Sequence, residues 1–350
     1  MRFLDYGWDP AMMPENANGI PARVTAVSRD LFQFVCEQGS GHARLKTAEY
    51  TVGGEVFPTT GDFVLLDWQP AGESRILKTL PRKTYFSRLD PSSSGHGEQA
   101  VAANFDTVFI MQSLNYNFNL RRLERYLTLA WQSGAVPAVV LTKADLVQDH
   151  TDQLHAAEKV AIGAEVFAVS ARTGQGLSGL AGYLKPRRTV VFLGSSGVGK
   201  SSLVNALAGE TVMGTGEIRE DDSRGRHTTT HRQLLMLPSG VMVIDTPGMR
   251  ELGMWDVTDG IGHSFADVEK FFGKCRFSDC RHQNEPGCAV KAAIERGELS
   301  AERWESYCRL KNEAKYSEDK AEYLREKQQW HKNIAQINRS RRKNGRPEKW

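Results

Sequence analysis

Residues 194–201 read Gly194, Ser195, Ser196, Gly197, Val198, Gly199, Lys200 and Ser201, the G-x-x-x-x-G-K-[ST] spacing of a phosphate-binding loop. Glycine lets backbone N–H groups turn inward on phosphate oxygens, the lysine reaches the outer phosphates, and a serine hydroxyl ligates magnesium. The flanks agree. An apolar run, TVVFL, precedes the loop as a strand, and SSLVNALAG, containing Ser201 and Ser202, follows as a helix whose N-terminus favours anions. Forty-five residues past Lys200, the apolar run VMVI ends in Asp245, within VMVIDTPG. Asp245 suits the magnesium-side carboxylate, and the N–H of Gly248 suits sensing of a terminal phosphate. Alone, DTPG is an ordinary turn; beside the phosphate loop it reads as a nucleotide switch.

The choice of base falls to Thr142, Lys143, Ala144 and Asp145, at the end of the strand-like run PAVVL. A carboxylate accepts two hydrogen bonds, and guanine offers a ring N–H beside an exocyclic amine, whereas adenine presents the wrong polarity. Asp145 therefore favours GTP over ATP and opposes the reading of an ATP-driven motor. The stem of Lys143 can cover the base plane. Ser170 and Ala171, ending AEVFAVSA, are expected to complete the base pocket through backbone contacts. These parts stand in permuted order, with base-reading loops before the phosphate loop and DTPG after it. A sheet tolerates this, because the site needs strand ends that are neighbours in space, whatever their order in the chain.

A second cluster, Cys275, Cys280, His282 and Cys288, is spaced C-x4-C-x-H-x5-C. Three thiolates and one imidazole make a closed tetrahedral zinc site with a structural role. Cys36 and Cys308 stand in strand-like and helical runs and read as core residues.

The elements that must position these residues follow from periodicity. Residues 1–20 read as an irregular lead-in. Five short runs rich in β-branched and aromatic residues fill 21–85 and predict a small closed barrel of the oligonucleotide-binding type (OB-fold). The polar, Gly/Ser-rich stretch 86–103 reads as a linker or mobile loop. Strands then alternate with helices over 100–261, the pattern of a mainly parallel, doubly wound α/β sheet. Leu120, Leu123, Leu127, Ala130 and Trp131 mark one helix face that stops at Gly134. Residues 262–319 form a helical zinc domain, and 320–350 a basic tail. The predicted fold class is therefore α/β: a circularly permuted P-loop GTPase domain with an N-terminal β-barrel (OB-fold) and a C-terminal α-helical zinc-binding domain.

Composition sets outer bounds. At 350 residues with 40% hydrophobic and 25% charged residues, the chain fits neither a disordered nor a fibrous class. Apolar runs are too short to span a bilayer, and the start MRFLDYGWDP lacks the apolar core of a secretory signal, so a cytoplasmic protein with no membrane partner is expected. The net charge of +3 is uneven: residues 320–350 hold ten Lys or Arg against three Asp or Glu. Such a tail, with Tyr323, Trp330 and Trp350 interleaved, suits a polyanion such as RNA; folding of its aromatics back on the zinc knuckle is the competing reading.

Taken together, TKAD, SA, GSSGVGKSSL, GRHTTTHRQL, DTPGMRELG and CRHQNEPGCAV, in this order over about residues 20–310, resemble the ribosome small subunit-dependent GTPase A family (RsgA, also called YjeQ). The resemblance implies a GTP-hydrolysing factor that binds the small ribosomal subunit and its rRNA late in maturation and is stimulated by it. It uses magnesium with GTP or GDP, and a monomer is expected. Two departures from ordinary GTPases stand out. Thr142 occupies the place of an asparagine, which removes one amide contact to the base, and Met249 follows DTPG where many GTPases carry a water-orienting glutamine. The family suggests His227, within GRHTTT, as the replacement, and an imidazole can orient or deprotonate water near neutral pH. Packing, or contact with RNA, is the other role open to His227. Thr228, Thr229 and Thr230 are equivalent candidates for a magnesium ligand. The alternative function is an RNA-binding assembly module that uses the nucleotide only as a switch.

Overall fold

The computed structural model describes residues 2–28, 30–46, 56–89, 98–115, 118–214, 232–245, 257–283 and 285–316. Five strands, β1 (Ile20–Ser28), β2 (Leu31–Cys36), β3 (Gly39–Leu45), β4 (Phe63–Asp67) and β5 (Ser74–Thr79), pair in the order β1-β2-β3-β5-β4. Pairing of β4 back onto β1, Ala22 opposite Val64, closes them into a barrel. Val24, Phe34, Ala43, Val64, Leu66 and Ile76 alternate inward and fill it, as the two-residue period of a strand requires.

Beyond the barrel, β6 (Tyr85–Leu89) and β7 (Glu98–Ala103) form an antiparallel pair, with Phe86 opposite Ala102. The expectation of a linker over 86–103 is corrected here. Phe86 stacks on Phe105 with centroids 4.8 Å apart, and Val101 and Ala102 are buried with it, so this pair belongs to the core.

The remaining strands are β8 (Thr107–Ser113), β9 (Val136–Thr142), β10 (Glu165–Ala168), β11 (Thr189–Gly194), β12 (Arg232–Met236) and β13 (Met242–Asp245). They lie in the order β10-β9-β8-β11-β13-β12; the first five are parallel and β12 is antiparallel to β13. Every residue of β8 is buried, which explains its unbroken apolar run: a central parallel strand is covered on both faces. Helix α1 (Leu120–Gln132) begins where the Asn119 side chain accepts a hydrogen bond from the Arg122 N–H at 3.0 Å. Leu123, Leu127 and Ala130 turn onto the sheet. Helices α2 (Thr151–Val160) and α3 (Lys200–Ala208) complete the layers. C-terminal to the sheet come α4 (Thr258–Ser264), α5 (Ala266–Glu269), α6 (Ala289–Glu295) and a helix over 301–316. No helix among the described residues is long and apolar enough to cross a membrane.

The barrel and the larger sheet are continuous, because β1 also pairs with β12, Ala26 opposite Gln233. Arg23 sits in this joint, 1% exposed. Its guanidinium donates to the carbonyls of Gly61 (3.2 Å), Tyr6 (2.6 Å) and Asn104 (2.7 Å) and to Thr189 Oγ1 (3.0 Å). Burial pushes its pKa down to about 10, against the opposing fields of Asp106 and Asp62, so it stays charged at neutral pH. Gly61, at φ +94°, has no alternative nearby: a Cβ there would lie 2.1 Å from the Ala103 carbonyl oxygen.

The first residues are not the irregular lead-in expected over 1–20. Short 3-10 turns at Phe3–Tyr6 and Pro10–Met12 bury Phe3 and Trp8 against Val35, Phe63, Leu65 and Leu80. Arg187 holds the same segment from the larger sheet, donating to Leu4 O (2.7 Å) and Trp8 O (3.1 Å). Replacing Arg23 by Ala strands the carbonyls of Tyr6 and Asn104 at about 1–3 kcal/mol each, while Gly61 O keeps a donor in Asn104 Nδ2 at 3.3 Å. The R23A variant is expected to lose about 3 kcal/mol or more in urea unfolding followed by tryptophan emission; a loss below 1 kcal/mol would show that the joint does not rest on this side chain.

Candidate active site and metal centre

Thr142, Gly194 and Asp245 all lie at the carboxyl ends of parallel strands. Ser113 of β8 is paired with Thr142, Met111 of β8 with Gly194, and Val191 of β11 with Ile244. A ligand cleft at such an edge is the general rule for open α/β sheets. Between β11 and α3, Ser195, Ser196, Gly197 and Val198 cross the edge. Gly199 at φ +100° then turns the chain into the helix that opens at Lys200, continuing through Ser201 and Ser202. The Lys200 ammonium is ion-paired with the Asp245 carboxylate, both partly buried. The pair neutralises two charges that a nucleotide phosphate and a divalent cation would otherwise meet.

Thr142–Asp145 and Ser170 come together beside it. Lys143 adopts φ +61°, turning the chain into a 3-10 turn over Ala144–Leu146, and the Ala144 N–H donates to Val169 O (3.1 Å). Ser170 is fully buried and donates its hydroxyl proton to Asp145 Oδ1 (2.7 Å), while accepting from the Thr173 N–H (3.2 Å). Its expected contribution was through the backbone; the side chain instead orients the carboxylate. Ala171 follows at the start of the next turn. Thr142 points its hydroxyl at the phosphate loop, 2.6 Å from Val198 O. His227, Thr228, Thr229, Thr230, Gly248, Met249 and the tail at 320–350 lie outside the described residues.

The second cluster is assembled as its spacing predicts. The ligand atoms of Cys275, Cys280, His282 and Cys288 all lie within 4.8 Å of one another, so the four residues could hold a metal ion. The three Sγ atoms stand 3.5, 3.6 and 3.5 Å from His282 Nδ1, which names the imidazole nitrogen that faces them. His282 reaches this position at φ +60° and stacks on Phe272 at 4.6 Å, with Trp304 edge-on at 5.8 Å. Burial pushes the His282 pKa below its ordinary value, favouring the neutral imidazole that a metal requires. The Ala289 N–H donates to Cys275 Sγ (3.3 Å), an outer contact suited to a thiolate.

An arginine that no motif marks ties this region to α1, the helix that packs on the sheet. Arg303 donates to Glu124 Oε1 of α1 (2.7 Å) and to both carboxylate oxygens of Asp267 (3.1 and 3.0 Å). Isolated charges in a helical run carry no signature of such a partner.

A carboxylate that accepts from a buried serine, followed in the chain by a phosphate loop and then by an aspartate at the end of the adjoining strand, defines a circularly permuted P-loop GTPase. Known proteins agree. Residues 79–255 match the family model described as RsgA GTPase. A small ribosomal subunit biogenesis GTPase RsgA 2 from Listeria monocytogenes serotype 4b (strain F2365) is 48% identical over 84% of this chain and 83% of its own. The crystal structure of YjeQ from Thermotoga maritima aligns with a TM-score of 0.60 at 26% identity, covering 83% of this chain and 96% of that one. The crystal structure of YloQ, a circularly permuted GTPase, aligns with the same TM-score at 25% identity, over 87% and 98%. The chain belongs to the RsgA GTPase family and is a GTP-hydrolysing enzyme.

Cobalt(II) added to metal-free protein is expected to give thiolate charge-transfer absorption and the visible bands of a tetrahedral site, both weakened in H282A. Chelation is expected to shift the emission of Trp304 while nucleotide affinity survives. Octahedral-type spectra, or spectra unchanged in H282A, would remove the four-ligand assignment.

Proposed function

We propose that this enzyme acts in late maturation of the small ribosomal subunit, binding the subunit and its rRNA and hydrolysing GTP when the subunit stimulates it. The observation that carries the site is the convergence of Thr142–Asp145, Ser170–Ala171, Gly194–Ser202 and Asp245 on one sheet edge. In this reading Asp145 accepts from guanine, held by Ser170, and Lys143 and Ala144 line the base. Gly194, Ser195, Ser196, Gly197, Val198 and Gly199 cradle the phosphates with backbone N–H groups, and Ser202 continues the helix that ends on them.

Lys200 must leave Asp245 to meet the outer phosphates. Asp245 and Ser201 are then free to hold magnesium, which when bound neutralises charge on the β- and γ-phosphates. Gly248 is assigned to the terminal phosphate and His227 to the attacking water. Both assignments rest on motif position. Cys275, Cys280, His282 and Cys288 are assigned one structural zinc ion, since three thiolates and an imidazole leave no open position. A cytoplasmic monomer suits this role, with the RNA of the subunit the polyanion that a basic tail would meet.

The relatives' names support the subunit as partner: the Listeria protein and another from Methanosarcina acetivorans, 44% identical over 83% of this chain and 79% of its own, are both called small ribosomal subunit biogenesis GTPases. Turnover is expected to be slow alone and to rise on adding purified small subunits by about a thousandfold or more, the scale of partner-supplied stabilisation in other GTPases. The H227A variant should lower stimulated turnover by about a hundredfold with GTP affinity intact, as loss of a general base does. Equal rates with and without subunits would remove the partner, and unchanged stimulated turnover in H227A would remove the histidine. Subunit affinity that is the same with GDP and with a non-hydrolysable GTP analogue would favour a plain RNA-binding module.

A further inference from the structure

One side chain bridges the base-reading strand and the phosphate loop. Thr142 is the last residue of β9, and its Oγ1 lies 2.6 Å from the carbonyl oxygen of Val198 and 3.3 Å from that of Gln112. Both Thr142 and Val198 are buried, at 4% and 3% exposure. A hydroxyl carries a single proton. The short contact to Val198 takes it, so none remains to donate to N7 or O6 of a guanine. The neighbouring backbone supports this placement from both sides. Leu114 N–H donates to Thr142 O (3.0 Å), fixing the strand end, and Val198 N–H donates to Ser195 O (3.3 Å), closing the turn of the phosphate loop. Gly199 passes directly over the hydroxyl, where a Cβ would stand 3.8 Å from Oγ1. Three residues further on, Asp145 is held by Ser170. The segment 142–145 thus grips the phosphate loop at one end and presents the base-reading carboxylate at the other.

We infer that Thr142 is a positioning residue that ties the phosphate loop to the base-reading segment, and that it does not read guanine. The missing asparagine amide is therefore no loss of base selectivity; the threonine hydroxyl serves the loop. This inference rests on the guanine-nucleotide site proposed above.

The test compares T142V, which removes the hydroxyl at nearly constant volume, T142A, which removes it without added bulk, and T142S, which keeps it. The ligands are GTP, GDP and 7-deaza-GTP, which lacks the N7 acceptor. Loss of the donor leaves the buried Val198 carbonyl without its partner in the ordered loop. Dissociation constants for all three nucleotides are expected to rise by the same factor, about tenfold, or about 1.4 kcal/mol. T142S is expected to stay near wild type. A penalty in T142V and T142A that disappears with 7-deaza-GTP would mean that Thr142 donates to N7 of the base, overturning the inference. A lower melting temperature with unchanged nucleotide affinity would make the bond merely structural, which also overturns it. The underlying site has its own control: D145N should lose GTP and gain xanthosine triphosphate, because an amide can donate where xanthine places a carbonyl. A wild type that binds no GTP and a D145N variant that shifts no preference would sink the site itself, a result distinct from failure of the threonine tie.

Discussion

Parallel pairing of β9, β8, β11 and β13 is the constraint from which the site follows. Parallel strands all expose their carboxyl ends at one edge, so a loop leaving any of them meets the loops of its neighbours. The register staggers the ends: Thr142 pairs with Ser113, Gly194 with Met111 two residues earlier on β8, and Ile244, just before Asp245, with Val191, so side chains bridge the steps, Thr142 to the Val198 carbonyl and Lys200 to Asp245. Chain order is irrelevant to this geometry. The β8 strand, first of the parallel set in sequence, sits in the middle of it, and the phosphate-loop strand β11 comes fourth yet pairs directly with β8. Permutation costs little because hydrogen bonding between strands is set by spatial neighbours. What it changes is what each loop leads to next.

The barrel depends on a different kind of interaction. Its attachment runs through β1, which closes the barrel with β4 and reaches β12 with its other end. Two backbone pairs are a slender joint, and Arg23 strengthens it by gathering carbonyls from the N-terminal turns, the barrel and the bend between β7 and β8. A buried guanidinium is costly to desolvate, and its value lies in demanding several specific acceptors at once; a poorly seated barrel would leave the charge unpaired. The arrangement selects one orientation of the barrel. The strand it seats against, β12, is bonded along its other edge to β13, whose last residue is Asp245, so the barrel lies one strand away from the Asp245 carboxylate.

Much of this was legible in the residues. The phosphate loop, the TKAD and SA segments and the zinc-type spacing carry their chemistry locally, and the structure brings each of these groups together. The five barrel strands follow from period, and the buried centre of β8 from its apolar run VFIM. What was not legible depended on partners far away in sequence. Phe3 and Trp8 look like stray aromatics in a polar, Pro-containing stretch until Val35, Phe63 and Leu80 arrive to cover them. The β6 and β7 pair has few apolar residues of its own, and Phe86 is defined by Phe105 nineteen positions on. The Thr142 hydroxyl reads as the loss of an amide when compared with other sequences, and only the Val198 carbonyl reveals where it points. A buried Arg23 or Arg303 cannot be told from a surface arginine, since the acceptors lie in other elements.

In the C-terminal region, permutation places a closely packed helical layer next in the chain after the strand that ends in Asp245. Chain leaving Asp245 reaches Val257 and then α4, which lies so close to α1 that a Cβ on Gly260 would stand 2.2 Å from Thr128 O. Gly260 N–H donates to Gln132 Oε1 at 2.8 Å, and Arg303 then fastens the end of α4, through Ser264 O at 2.5 Å, to Glu124 of α1. The zinc-type cluster packs behind this through Phe272, Trp304 and Tyr307. A closely packed, ion-paired interface of this kind has few intermediate arrangements: it either keeps its register or breaks it.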